Sequence, residues 1–323
     1  MDRDLMAQLV SWKDSKRRKP LILNGARQVG KTWLLREFGA TSFRSVAYVN
    51  FDGNPALAAS FDAGYDIARL ITDIQADSGT RVVEGETLVI FDEVQECPKA
   101  LTSLKYFREN APGLHVAAAG SLLGLTVHQG TGFPVGSVNM LDLFPLTFGE
   151  FLDATGNGML RELVDGGDGR SLDAFSARLT PLLKQYYYVG GMPEAVSAFA
   201  EGGVLRDARD VQSEILGSYR LDISKHLSPL ETEHVLSVWD SIPAHLSREN
   251  KKFVFGQIRE GARARDYRSA ITWLVQAGLA TKVDRVTKPG VPLSAYVDGG
   301  AFKLFALDVG LLGAMSGLDE RRV

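Results

Sequence analysis

The stretch Leu21-Ile22-Leu23-Asn24-Gly25-Ala26-Arg27-Gln28-Val29-Gly30-Lys31-Thr32 decides how the rest of the chain is read. Its first four residues are a short apolar run of the kind that makes a buried strand, and Trp33 to Phe38, closed by Gly39, reads as a helix. Between them lies G-x-x-x-x-G-K-T, the P-loop. Both glycines are needed because the backbone must turn its N–H groups toward phosphate oxygens, where a side chain would obstruct. Lys31 supplies a fixed positive charge, the Thr32 hydroxyl a ligand for Mg²⁺, and the helix start a dipole facing the anion. The expected nucleotide-binding residues are therefore Gly25, Ala26, Arg27, Gln28, Val29, Gly30, Lys31, Thr32 and Trp33, with ATP or ADP and Mg²⁺ as cofactors.

A second motif strengthens the first. Thr87-Leu88-Val89-Ile90-Phe91-Asp92-Glu93 is an apolar strand that delivers two carboxylates at its end, the Walker B pattern. Asp92 is expected to join Thr32 in holding Mg²⁺, and Glu93 to orient the attacking water and take its proton. The plainer reading is an acidic pair capping the helix near Pro98. A third strand, Val116 to Ala119, ends in Gly120-Ser121. Ser121 is either a sensor of the γ-phosphate or the N-cap of a helix from Leu122 onward. Gln95 is either a water-positioning amide or a solvated helix-start residue. Lys31, Glu93, Gln95 and Ser121 make up the expected catalytic set.

Strands at Leu21–Asn24, Ser45–Phe51, Leu88–Phe91 and Val116–Ala119, with a fifth near Val138–Leu143, alternate with helical stretches. That alternation predicts an α/β fold, a P-loop NTPase with a mainly parallel five-stranded sheet, over residues 1–155. The glycine-rich breaks at Gly156-Asn157-Gly158 and Gly166-Gly167-Asp168-Gly169 open a helical lid over 156–226, with helices at Leu172–Tyr188 and Val204–Arg220. Residues 227–298 predict a winged helix: helices at Glu231–Leu246, Lys251–Gly261 and Arg265–Ala277, then strands Leu279–Val286 and Leu293–Val297. The triplet Tyr186-Tyr187-Tyr188 reads as packing rather than a base-stacking platform, because no basic residues interleave it.

Charge is uneven. The whole chain carries −3, but Arg248 to Lys288 holds ten Lys/Arg against four Asp/Glu, a local +6. Lys251, Lys252, Arg263, Arg265, Arg268, Lys282 and Arg285 are thus candidate DNA contacts, weighed against solvated faces of a protein-contact module. At 323 residues two or three domains are expected, and 45% hydrophobic with 23% charged residues excludes a disordered, collagenous or coiled-coil chain. The single cysteine, Cys97, excludes an intramolecular disulfide and a cysteine zinc site. There is no signal-peptide pattern and no apolar run long enough for a membrane span, so a cytoplasmic location is expected.

Several further stretches carry a family resemblance: Phe91-Asp92-Glu93-Val94-Gln95, Ala119-Gly120-Ser121-Leu122-Leu123, Leu143-Phe144-Pro145-Leu146-Thr147-Phe148-Gly149-Glu150-Phe151-Leu152, Gly190-Gly191-Met192-Pro193-Glu194, Asp222-Ile223-Ser224-Lys225, and Phe302 through Leu312. With the P-loop they span nearly the whole chain, which resembles the bacterial and archaeal AAA-type ATPases with a DUF4143-type C-terminal domain. The pair of motifs at consecutive strand ends predicts ATP hydrolysis coupled to lid and winged-helix movement, with a slow nucleotide-gated switch contacting DNA or a protein as the alternative and a homo-oligomer among the expected assemblies. The resemblance implies the same ATPase fold. It also implies a basic residue where this chain has Ser137, which bears on the rate of hydrolysis and not on nucleotide binding. Members continue past the Asp308 region into a nuclease-like domain, which makes residues 299–323 the expected start of a further C-terminal domain and a chain ending at Val323 either naturally short or cut short. Arg108 and Arg161 are the candidates for an arginine finger acting in trans, each weighed against an ordinary surface charge.

Overall fold

The computed structural model describes residues 1–121, 133, 134 and 136–320. It divides into two compact units, residues 2–144 and residues from 145 onward. The helix expected from Leu122 lies outside the described residues.

The first unit is built on five parallel strands: β1 (Leu21–Asn24), β2 (Ser45–Asn50), β3 (Thr87–Asp92), β4 (His115–Ala119) and β5 (Asn139–Asp142), in the order β2-β3-β4-β1-β5. β3 and β4 are buried along their whole length, which is why they read as unbroken apolar runs rather than alternating ones. Asn50 is paired with Asp92 and Asn24 with Asp142, so the carboxyl ends of the strands lie along one edge of the sheet. The core clusters Ile22, Val49, Val89 and Phe107 with the rings of Phe51, Phe61 and Phe91, which meet edge to face at 5.4–5.7 Å.

The helices of this unit are α1 (Leu5–Asp14), α2 (Lys31–Ser42), α3 (Pro55–Asp62), α4 (Ile67–Ser78) and α5 (Pro98–Asn110). Gly39 does not close α2, which runs on to Ser42. A Cβ at Gly39 would stand 2.5 Å from Val46 Cγ2, so the glycine serves close packing of helix on strand rather than termination.

His115, at the start of β4, is 5% exposed, lies between the rings of Trp12 and Phe43, and has no hydrogen-bond partner for either ring nitrogen. Burial, reinforced by the Arg18 charge, pushes its pKa from 6.5 down to about 4. The unfolded chain therefore takes up this proton first, and stability falls as pH drops from 6.5 through 4, by about 3 kcal/mol. Melting curves at pH 7 and 4.5 check this: His115→Phe should lose less stability on acidification than the parent protein.

The second unit begins with α6 (Phe148–Ala154), entered through a capping box between Thr147 and Glu150. Then follow α7 (Gly158–Gly166), α8 (Gly169–Ala174), α9 (Ser176–Val189), α10 (Pro193–Gly202), α11 (Leu205–His226), α12 (Pro229–Leu246), α13 (Ala264–Gln276), a hairpin of β6 (Ala280–Val286) and β7 (Val297–Ala306), and α14 (Val309–Met315). The helix expected at Leu172–Tyr188 is two helices, α8 and α9, parted at Phe175, whose backbone leaves helical geometry.

Two expectations in the C-terminal region are corrected. Lys251–Gly261 is not a helix; only a 3₁₀ turn, Phe255–Gln257, forms there. Lys251 adopts a left-handed φ of 51°, and the Phe253 N–H donates to Phe302 O at 3.0 Å while its ring stacks on Phe302 and His245, so β7 captures the backbone that a helix would need. Likewise Leu293–Tyr296 is a 3₁₀ turn, and the second strand starts at Val297. Pro292 lacks a ladder donor, whereas Phe302 and Leu304 supply buried side chains farther on.

A polar latch ties this unit together. Asp308 caps α14 through Leu311 N–H (2.9 Å) and accepts from Gly191 N–H (2.6 Å), while Gly191 O accepts from Leu146 N–H (2.6 Å). Gly190, with φ 72°, has no room for a Cβ, which would sit 2.2 Å from Asp308 Oδ1. Two of the three tyrosines pack as expected, Tyr188 buried under the Arg209 guanidinium and Tyr186 donating to Leu146 O at 2.8 Å, whereas Tyr187 is exposed. Among the described residues no helix is long and apolar enough to cross a membrane.

Candidate functional site

The loop between β1 and α2 adopts the backbone its glycines predict. Gly30, the residue before α2, has φ 93°, and Gln28 is held at φ 64° although it carries a side chain. A Cβ on Gly25 would lie 2.4 Å from Leu143 O, so the loop passes too close to the chain leaving β5 for any other residue. Arg3, 7% exposed, supports the loop by donating to Val29 O (3.0 Å) and Phe144 O (2.5 Å). Val29 and Ala26 are buried, whereas Gln28 and the Trp33 indole are exposed.

Lys31 starts α2 and is 7% exposed. Its ammonium donates to Gly25 O (2.9 Å), Ala26 O (2.7 Å) and Ser121 Oγ (3.3 Å), all of them neutral. Burial depresses its pKa to about 8, opposed in part by the carboxylates of Glu93 and Asp92. A buried cation whose hydrogen bonds are all to neutral groups is costly by itself and is well matched to a polyanion.

At the end of β3, Asp92 Oδ2 accepts from Thr32 Oγ1 (2.8 Å) and Tyr48 OH (2.8 Å), and Oδ1 accepts from Glu93 N–H (3.1 Å). Burial and the bond to Asp92 push the Tyr48 phenol up to about 12, so it remains a donor. Glu93 turns the chain with φ 49°. Its Oε2 accepts from Gln95 Nε2 at 2.5 Å, and Gln95 Oε1 accepts from Ser121 N–H at 3.2 Å. The structure thus brings Lys31, Thr32, Asp92, Glu93, Gln95 and Ser121 together along the carboxyl ends of β1, β3 and β4. The hydroxyl and carboxylate at Thr32 and Asp92 are hard oxygen donors of the kind Mg²⁺ takes alongside phosphate oxygens and water. Sequence reasoning missed Tyr48, Arg3 and Arg36.

Residues 17–152 match the family described as an AAA domain. Over these residues the chain is similar to AAA domains. Residues 180–322 match a domain of unknown function, DUF8612, and not the DUF4143-type domain expected from the sequence. Among solved structures the chain is similar to the Walker-type ATPase PABY2304 of Pyrococcus abyssi, with a TM-score of 0.58 and 16% identity over 98% of this chain and 95% of that one. It is also matched to the Aeropyrum pernix ORC1 protein in complex with DNA, with a TM-score of 0.36 and 15% identity over 97% of this chain and 90% of that one. No curated protein matches. The parallel sheet and the likeness to the Pyrococcus abyssi ATPase establish the fold as that of a P-loop NTPase.

The remaining candidates fall elsewhere. In the first unit, Ser137 is buried ahead of β5, where Arg108 donates to its Oγ (3.3 Å) and to Gly136 O (2.9 Å). This is the edge where the parallel strands begin, opposite Lys31. In the second unit Arg161 is paired with Asp153 (2.6 Å) and Asp165 (3.0 Å). Lys251, Lys252, Arg263, Arg265, Arg268, Lys282 and Arg285 are all exposed. Arg265, Lys282 and Arg285 are paired with Asp266, Asp284 and Asp298, so acidic neighbours offset part of the local charge.

Proposed function

We propose that the chain is a Mg²⁺-dependent ATPase that converts ATP to ADP and phosphate and couples nucleotide state to movement of its C-terminal elements. The observation that carries this reading is the buried Lys31 ammonium beside the Thr32–Asp92 hydrogen bond of 2.8 Å, at neighbouring strand ends. Thr32 and Asp92 would hold Mg²⁺, which when bound supplies charge neutralisation to the phosphates. Lys31 binds phosphate oxygens and offsets charge developing on them. Glu93 accepts the proton of the attacking water at its carboxylate, and Ser121, donating at the end of β4, contacts the terminal phosphate. The helical segment 156–226 acts as a lid, and residues 227–298 with β7 act as a winged-helix module for DNA or a protein partner, within a homo-oligomer. Local positive charge supports the DNA arm.

A second reading, a slow nucleotide-gated switch, is favoured by one contact: the Glu93 carboxylate is already engaged by Gln95 Nε2. Calorimetry with ATP in EDTA and in Mg²⁺, followed by phosphate release with and without duplex DNA, tests both readings. Binding with steady release supports the ATPase; binding with release only after DNA is added supports the switch. No heat with any adenine nucleotide removes both.

A further inference from the structure

Tyr48 stands on β2, outside both nucleotide motifs, yet its hydroxyl reaches the same Asp92 oxygen that accepts from Thr32, at the same 2.8 Å. The register explains the reach. Asn50 is paired with Asp92, which places Tyr48 on the same face of the sheet, two residues back along the adjacent strand. Its ring is covered by the Arg36 guanidinium, 3.9 Å from the ring centroid. Arg36 lies one turn beyond Thr32, on the same side of α2.

The P-loop helix therefore grips Asp92 twice, directly through Thr32 and indirectly through Arg36 and Tyr48. A carboxylate held only by a threonine hydroxyl and its neighbour's N–H is free to turn about its Cβ–Cγ bond, because the hydroxyl must also serve a metal ion. A phenol fixed by its own packing removes that freedom.

We infer that Tyr48, clamped by Arg36, is a positioning residue that holds Asp92 in the orientation required to receive Mg²⁺. The inference rests on the nucleotide reading above and goes beyond the two motifs, since it assigns metal affinity to a strand and a helix face that neither motif contains. Tyr48→Phe keeps the ring and its stacking on Arg36 and removes only the hydroxyl.

The test is ATP binding by calorimetry in EDTA and over a Mg²⁺ titration, with phosphate release measured across the same titration. Affinity in EDTA should stay within about twofold of the parent protein, while the Mg²⁺ midpoint rises roughly tenfold and saturating Mg²⁺ restores release. Arg36→Lys keeps the charge, loses the planar stack, and should move the midpoint in the same direction by less. An unchanged midpoint in Tyr48→Phe overturns the inference, as does a loss of affinity in EDTA as large as that in Mg²⁺, which would make Tyr48 a general support of the sheet. If the parent protein binds no ATP in either buffer, the nucleotide reading and this inference fall together. If it binds and only the Tyr48→Phe midpoint fails to move, this inference alone is lost.

Discussion

Replacing Lys31 with Met should abolish ATP binding and at the same time make the free protein more resistant to unfolding. Both effects have one cause. The ammonium is 7% exposed, its hydrogen-bond partners are neutral, and burial brings its pKa from 10.5 to about 8. A depression of that size corresponds to a penalty of about 3 kcal/mol in the folded state, present in full below pH 8, fading above it as the folded protein releases the proton, and gone once the unfolded chain has lost its own near pH 10.5. Methionine fills similar space without the charge and relieves the penalty. The polyphosphate meanwhile loses its fixed counter-charge, so affinity should fall at least about 100-fold. Calorimetry and thermal melting of the two proteins check the pair of effects, and a variant that loses binding only because it unfolds would fail the second. In the parent protein ATP affinity should weaken as pH rises through about 8, where Lys31 gives up its proton.

Glu93→Gln should leave ATP bound and stop its turnover. The side chain keeps its length, and the amide still offers an oxygen to Gln95 Nε2, so the contact that spans from β3 to Ser121 persists. The basic oxygen that would take the proton of the attacking water is gone. Removal of a positioned general base costs on the order of 100- to 10,000-fold in rate. Single-turnover phosphate release with ATP affinity measured in parallel distinguishes the outcomes: unchanged release removes Glu93 from its role, and lost affinity shows that it supports the loop instead.

The sheet was legible because its central strands are buried on both faces. Leu21–Asn24, Leu88–Phe91 and Val116–Ala119 announce themselves as apolar runs, and β1, β3 and β4 lie within one residue of them. The P-loop and acidic residues were legible because their chemistry demands fixed local spacing. Tyr48, Arg36 and Arg3 were not, because each acquires its role only when distant segments meet. Tyr48 depends on the pairing of β2 with β3, and Arg3 reaches Phe144, 141 residues away. Gly39 was misread since a glycine that ends a helix and one that lets a helix approach a strand look alike in sequence. The stretch Lys251–Gly261 was misread since its fate is decided by Phe302, which lies beyond the hairpin turn.

The Asp308 clamp on Gly191 has a bearing on how the polypeptide matures on the ribosome. The five strands of the first unit's sheet are complete once Asp142 has been made, whereas the clamp joins residues 117 positions apart. Until Asp308 leaves the exit tunnel, the Gly191 N–H lacks its buried acceptor. Synthesis therefore offers the N-terminal unit a head start and makes closure of the C-terminal one a late event.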